Sequence, residues 1–237
     1  MFDAILFDLD GTLLNLDIDV FLNYYFQEMI YTADTQGLPG KDLVAQVIAS
    51  TDIMMNSQDG TATNEEVFWD AFSRHANDKF ADRQKFFSHF YDCCFPKLQS
   101  RCRTFAIASE IVAEAFKKGT KVAIATNAVF PLQAIAERLR WAGVDRYSFD
   151  LITSYEVMHY CKPFPEYYLE IADILKVSPQ RCLMIGNDSG EDLVAGSAGM
   201  KTFLVEDMLI ERDKGFIPDW YGDLRELYDF LRNKYPK

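Results

Sequence analysis

The chain is poor in positive charge: its 237 residues carry 24 Lys and Arg against 36 Asp and Glu, a formal net charge of −12. Such a surface repels nucleic-acid backbone and anionic lipid, so neither nucleic acid nor membrane is expected as a partner. A small phosphate ester is not excluded, because a bound cation and one lysine can reverse the field locally. Long apolar runs are missing as well; none approaches the ~20 residues of a membrane-spanning helix. The five cysteines, Cys93, Cys94, Cys102, Cys161 and Cys182, lack a pairing pattern, being odd in number and irregular in spacing. Met1 leads within three residues into an apolar run rather than a basic region and cleavage site, so no signal peptide is expected. Reduced thiols and a cytoplasmic location follow as expectations. His89, Cys93, Cys94 and Cys102 could in principle hold a metal, but adjacent cysteines chelate one tetrahedral ion poorly.

What is present is a large apolar complement. Apolar residues make up 49% of the chain, with 19 Phe and 12 Tyr, enough to fill the core of one large domain or of a core domain carrying a smaller insert. Four short runs, 4–7, 122–125, 183–185 and 202–205, are almost continuously apolar, as in strands buried on both faces of a parallel sheet. Amphipathic stretches over 106–118, 132–141, 165–175 and 223–233 predict helices between and after them. Strands alternating with helices give an α/β class with a doubly wound parallel sheet. Residues 16–103 behave differently. They lack buried-strand runs and show helical periodicity over 20–31, 43–54, 65–75 and 83–91, which predicts a helical insert between the first strand and the rest of the sheet.

Four motifs stand out, three of them directly after predicted strands. The first strand runs into Asp8-Leu9-Asp10-Gly11-Thr12, where carboxylates at i and i+2 leave a strand end on the same side. Ligands of parallel sheets sit beyond the carboxyl ends of their strands. One acid there can attack as a nucleophile while the other moves a proton at the leaving group. Gly11 permits the turn, and Thr12 can hold it by hydrogen bonding. The second strand ends in Thr126-Asn127, whose hydroxyl and backbone N–H groups suit phosphate oxygens; taken alone, Thr126 could equally cap the next helix. Lys162, followed by Pro163 and Pro165, precedes a helix and could neutralise a carboxylate nucleophile and then a bound phosphoryl group. The third strand runs into Gly186-Asn187-Asp188 with Asp192 one turn on. Asp188 is placed to ligate a hard cation such as Mg²⁺. Asp192 could bind metal-bound water, orient Lys162, or simply favour the start of a helix.

In this order the motifs resemble the haloacid dehalogenase (HAD) superfamily, with the likeness covering 1–15 and 104–237. The resemblance implies a Rossmann-like core with an α-helical cap domain at 16–103. It also implies an Mg²⁺-dependent phosphatase acting on a small phosphorylated metabolite. Position by position, Asp8 would form an aspartyl-phosphate, and Asp10 would protonate the leaving oxygen and then activate water. Asp8, the Asp10 backbone carbonyl and Asp188 would hold Mg²⁺, and Thr126, Asn127 and Lys162 would cradle the phosphoryl group. One departure is Asn187, which stands between the glycine and the metal-ligand aspartate where many members have Gly-Asp directly. A phosphomutase shares these acids and stays open, as does a non-catalytic binding protein on the same fold; a dehalogenase needs neither the metal nor Asp10. In the cap, Phe21, Tyr24, Tyr25, Trp69, Arg74 and His75 are candidates to line the substrate site, although aromatics at helical spacing more often build a helical segment's own core. Residues 216–221 are expected to add a strand or loop at the sheet edge or to support a homodimer in place of a monomer.

Overall fold

A computed structural model describes residues 2–74, 80–212 and 215–234. Eight strands occur among them: β1 (Ala4–Phe7), β2 (Leu14–Asn15), β3 (Arg103–Thr104), β4 (Lys121–Ile124), β5 (Leu151–Ile152), β6 (Cys182–Gly186), β7 (Lys201–Val205) and β8 (Trp220–Gly222). Six of them form one sheet in the order β5-β4-β1-β6-β7-β8, with every pairing parallel. β1 is completely buried, and its side chains alternate between two cores. Ile5 and Phe7 join one face with Val122, Ile124 and Leu227, whereas Ala4 and Leu6 join the other with Tyr167, Tyr168 and Ile171. This is the period-two geometry of a strand covered on both sides, and it explains the unbroken apolar runs.

The sheet-covering helices are α5 (Ala108–Lys117), α6 (Leu132–Trp141), α7 (Pro165–Leu175) and the closing α8 (Leu224–Asp229), which continues as a π-helical turn, Phe230–Lys234. α6 and α7 match the predicted spans. The C-terminal strand is β8, which extends the sheet edge by pairing parallel with β7. The chain leaves β1 toward β4 on one side and reaches β6 on the other, so the carboxyl end of β1 lies at the point where strand order reverses.

Between β2 and β3 the described residues form α1 (Ile18–Thr35), α2 (Gly40–Met55), α3 (Asn64–Ser73) and α4 (Phe80–His89), then a π-helical turn, Phe90–Cys94, and a 3₁₀-helix, Phe95–Arg101. Its two ends are tied together by antiparallel pairing of Leu14 with Thr104 and Asn15 with Arg103. Asp17 caps α1 through the Val20 N–H, and Thr63 with Glu66 forms a capping box on α3. Aromatic rings join these helices to the sheet layer. Phe95 stacks on Trp141 at 5.4 Å, and Tyr25 meets Phe130 edge-on at 5.5 Å. The N-terminus of α3 is also docked, with the Asn64 N–H donating to the Met158 carbonyl and the Glu65 N–H to that of Tyr155. No helix among the described residues is long and apolar enough to cross a membrane.

Candidate active site

The backbone at the end of β1 is held from both neighbouring strands. The Asp8 N–H donates to the Ile185 carbonyl (2.8 Å), and the Ala125 N–H donates to that of Phe7 (2.7 Å). Gly11 then adopts φ +82°, a left-handed conformation that L side chains rarely take, and a Cβ there would lie 2.2 Å from Asn187 Nδ2. The tight turn leaves the Thr12 hydroxyl 3.2 Å from Asp8 Oδ2 and 3.1 Å from Asn187 Oδ1. Its single proton can serve one of these acceptors at a time. Asn187 in turn donates from Nδ2 to the Met208 carbonyl (2.6 Å), so the residue that departs from the family pattern braces the turn.

Lys162 is 1% exposed, and its Nζ lies between Asp8 Oδ1 (2.8 Å) and Asp192 Oδ1 (2.6 Å). Asp192 is fixed independently, because its Oδ2 accepts the Asp188 N–H (2.9 Å). It sits so close to β6 that a Cβ on Gly186 would fall 2.1 Å from Oδ2. Asn127 accepts the Lys162 N–H at Oδ1 (3.1 Å) and turns Nδ2 toward Glu191 Oε2 (3.4 Å), thereby bracing the lysine backbone. Burial pushes the Asp8 carboxyl up, with the Lys162 charge opposing it. Burial likewise raises Asp192, to about 6. Burial alone would lower Lys162, but Asp192 and Asp8 outweigh it and hold the ammonium well above its usual range. One cation facing two buried carboxylates stays charged, and the excess negative charge weighs on the acids.

Two further cations escaped the sequence reading. Arg138, 1% exposed on α6, donates from Nη1 to Asp10 Oδ2, and its guanidinium lies 4.5 Å from the Phe130 ring centre. Asp10 Oδ1 and Arg138 Nε and Nη2 are buried without a hydrogen-bond partner. Burial raises the Asp10 carboxyl, and Arg138 opposes that shift. At the rim, Arg212 Nε lies 2.7 and 3.0 Å from the two oxygens of Asp188, whose Oδ1 also accepts the N–H groups of Gly190 and Glu191. The signal for Arg138 was present in the sequence: it falls on the buried stripe of α6 with Ala134, Ile135 and Leu139, where a charge needs a buried partner. Arg212 follows an irregular loop and offered no such cue.

Asp8, Asp10, Thr126, Asn127, Lys162, Asp188 and Asp192 all line one cavity of about 820 Å³, with Gly11 and Thr12 directly behind Asp8. Of the cap candidates, Tyr25 and Trp69 line it. Phe21 does not: it is buried in the aromatic core against Phe95 and Trp141. Tyr24 lies under the Arg101 guanidinium at 3.9 Å, and Arg74 pairs with Asp70 on the surface. Those three assignments are therefore corrected; His75 lies outside the described residues.

The donor set fits a hard divalent cation. Among the described residues, Asp8, Asp10, Asp188, Glu191 and Asp192 are met by three cations, Lys162, Arg138 and Arg212, which leaves a surplus of two negative charges when all are ionised. No compact trio of His, Cys, Asp or Glu side chains is preassembled among the described residues. The third ligand implied by the resemblance is a backbone carbonyl, however, and Arg212 occupies the oxygens of Asp188.

Comparison with known proteins bears on this arrangement. A model of haloacid dehalogenase-like hydrolases matches residues 2–199. A pyrophosphatase PpaX from Bacillus cereus (strain G9842) is 27% identical over 241 residues, covering 98% of this chain and 97% of that protein. Among solved structures, a predicted phosphoglycolate phosphatase from Haemophilus somnus 129PT superposes with a TM-score of 0.59 at 20% identity, covering 98% of this chain and 97% of that one. L-2-haloacid dehalogenase from Xanthobacter autotrophicus does so with a TM-score of 0.56 at 16% identity, covering 98% and 99%. At these identities the structural likeness speaks for the fold alone, whereas the family model spans most of the chain. The chain belongs to the haloacid dehalogenase-like hydrolase family.

Proposed function

We propose that the protein is an Mg²⁺-dependent phosphomonoester hydrolase working through an aspartyl-phosphate on Asp8. The observation that carries this reading is the buried Lys162 ammonium held between Asp8 and Asp192, with a further carboxyl group, Asp10, two residues after Asp8. An Asp8 oxygen attacks phosphorus, the bond to the leaving alcohol breaks, and the Asp10 carboxyl supplies the proton to the departing oxygen. Asp10 then accepts a proton from the water that cleaves the acyl phosphate, which restores Asp8. Its raised pKa keeps more of it protonated for the first step. Lys162 offsets charge on the phosphoryl oxygens, Thr126 and Asn127 help seat them, and Asp192 positions Lys162. Asp8, Asp188 and the Asp10 carbonyl would hold Mg²⁺, which supplies electrostatic stabilisation of the phosphoryl oxygens when bound.

In this reading residues 16–103 act as a cap over the core formed by 1–15 and 104–237, closing the site from water. The substrate is a small phosphorylated metabolite, met in the cytoplasm. Release of inorganic phosphate from p-nitrophenyl phosphate, with and without Mg²⁺, tests the proposal. Turnover should require the metal and disappear in Asp8→Asn, by on the order of 10⁴-fold or more, since loss of a covalent nucleophile can cost about 10⁶. Turnover that survives Asp8→Asn rules out the assigned nucleophile.

A further inference from the structure

The cavity's cations lie at its phosphoryl end; its far part combines acidic and neutral polar groups with an apolar wall. Away from Asp8 and Lys162 it is walled by Leu22, Phe26, Met55, Phe68, Trp69 and Phe87 from α1, α2, α3 and α4. Leu22, Phe26, Met55 and Trp69 are only half-buried, so their apolar surface faces open space that a ligand could take out of water. The volume, about 820 Å³, is that of a site for an organic molecule rather than for a small inorganic anion.

The charges in the cavity point the same way. Among the described lining residues the cations are Lys162, Arg138 and Arg212, and each already serves an acid of the phosphoryl end. The remaining ionisable carboxyl groups, Asp19, Asp52, Glu65 and Glu156, have no salt-bridge partner among the described residues. Burial and the neighbouring Glu156 push the Glu65 carboxyl up, the mark of a region already crowded with negative charge. A second phosphate or carboxylate on the leaving group would meet like charges there and leave the aromatic wall bare.

Resting on the phosphohydrolase reading, we infer that the substrate is a phosphate monoester of a largely apolar, aromatic alcohol that carries no second anionic group. The test compares 1-naphthyl phosphate with pyrophosphate. Binding is measured calorimetrically on the full-length Asp8→Asn variant, so that it does not depend on turnover. Burial of a ring of about Phe size predicts 1-naphthyl phosphate binding tighter by about 10- to 150-fold. Ile48→Lys, which places a cation on an exposed position of the same wall, should narrow that gap. A naphthyl ester that binds no more tightly than pyrophosphate, including the case where neither binds, overturns the inference, as does an Ile48→Lys gap that is unchanged or wider. If binding follows the predicted order but the wild-type enzyme leaves the ester uncleaved, the phosphohydrolase reading fails while the cavity assignment stands.

Discussion

Replacing Arg138 by Met removes the only cation that pairs with Asp10 among the described residues. The guanidinium is 1% exposed, and the Asp10 side chain is buried apart from 12% of its surface, so solvent can do little to replace it. Breaking one partner of a buried pair costs about 3–5 kcal/mol, because the other charge is left uncompensated. For a chain of this length that corresponds to a Tm lower by about 6–20 °C. Adding Asp10→Asn removes the stranded charge, so the double variant should recover much of the loss. The pH dependence has a definite sign. Arg138 holds the Asp10 carboxyl down against burial, so without it the carboxyl rises further above 3.8. A raised carboxyl contributes stability that is present at low pH and lost as pH rises through its folded-state pKa, so Arg138→Met should lose stability more steeply than wild type on that climb. The protonated, proton-donating form also persists to higher pH, which should move the alkaline limb of kcat/KM upward. Calorimetry of the two single variants and the double variant, with pH–rate profiles of wild type and Arg138→Met, supplies both readouts. Additive stability effects, with coupling below about 0.5 kcal/mol, together with an unmoved alkaline limb, would refute the pairing as described.

Three other outcomes follow from the same geometry. Gly11→Ala should destabilise the protein by roughly 1–3 kcal/mol of backbone strain and should also slow turnover, because its Cβ displaces Asn187 from Thr12; wild-type melting and kinetics together would contradict the tight turn. Without metal, burial of Asp192 should make stability fall as pH rises from about 3.8 to about 6, and Asp192→Asn should flatten that slope. Saturating Mg²⁺ should restore about 2.7 kcal/mol at a hundred times its dissociation constant, visible as a metal-dependent Tm. Arg212→Gln should free Asp188 and tighten Mg²⁺ binding by about 1.4- to 5-fold, the worth of a partly exposed ion pair, as read by titration calorimetry.

The sheet was legible because its strands are buried on both faces and so carry continuous apolar runs; β1, β4, β6 and β7 all announce themselves in this way. β2, β3 and β5 are two residues long and carry too little pattern to be seen. Asp8, Asp10, Asp188 and Asp192 were legible because each follows a buried strand or opens the next element, whereas Glu191, Asp19, Asp52, Glu65 and Glu156, which line the same cavity, stand in no such pattern. Amphipathicity alone does not mark Arg138; the cue is a charge on the buried stripe of α6, which needs a buried partner. Arg212 and the bracing roles of Asn127 and Asn187 depend on contacts between distant segments, which no local spacing encodes. Phe21 and Trp69 could not be told apart in sequence, since both are aromatics on amphipathic helices; only packing puts one in the core and the other on the cavity wall.

In the proposed mechanism the phosphoryl group passes covalently through Asp8. Acid quenching of the enzyme during steady-state turnover of an aryl phosphate, followed by peptide mass spectrometry, measures this directly. A phosphoryl group is expected on the peptide containing Asp8, removed by hydroxylamine and absent from Asp8→Asn. Turnover with no phosphorylated peptide under single-turnover quenching, or with the label on another residue, would contradict it.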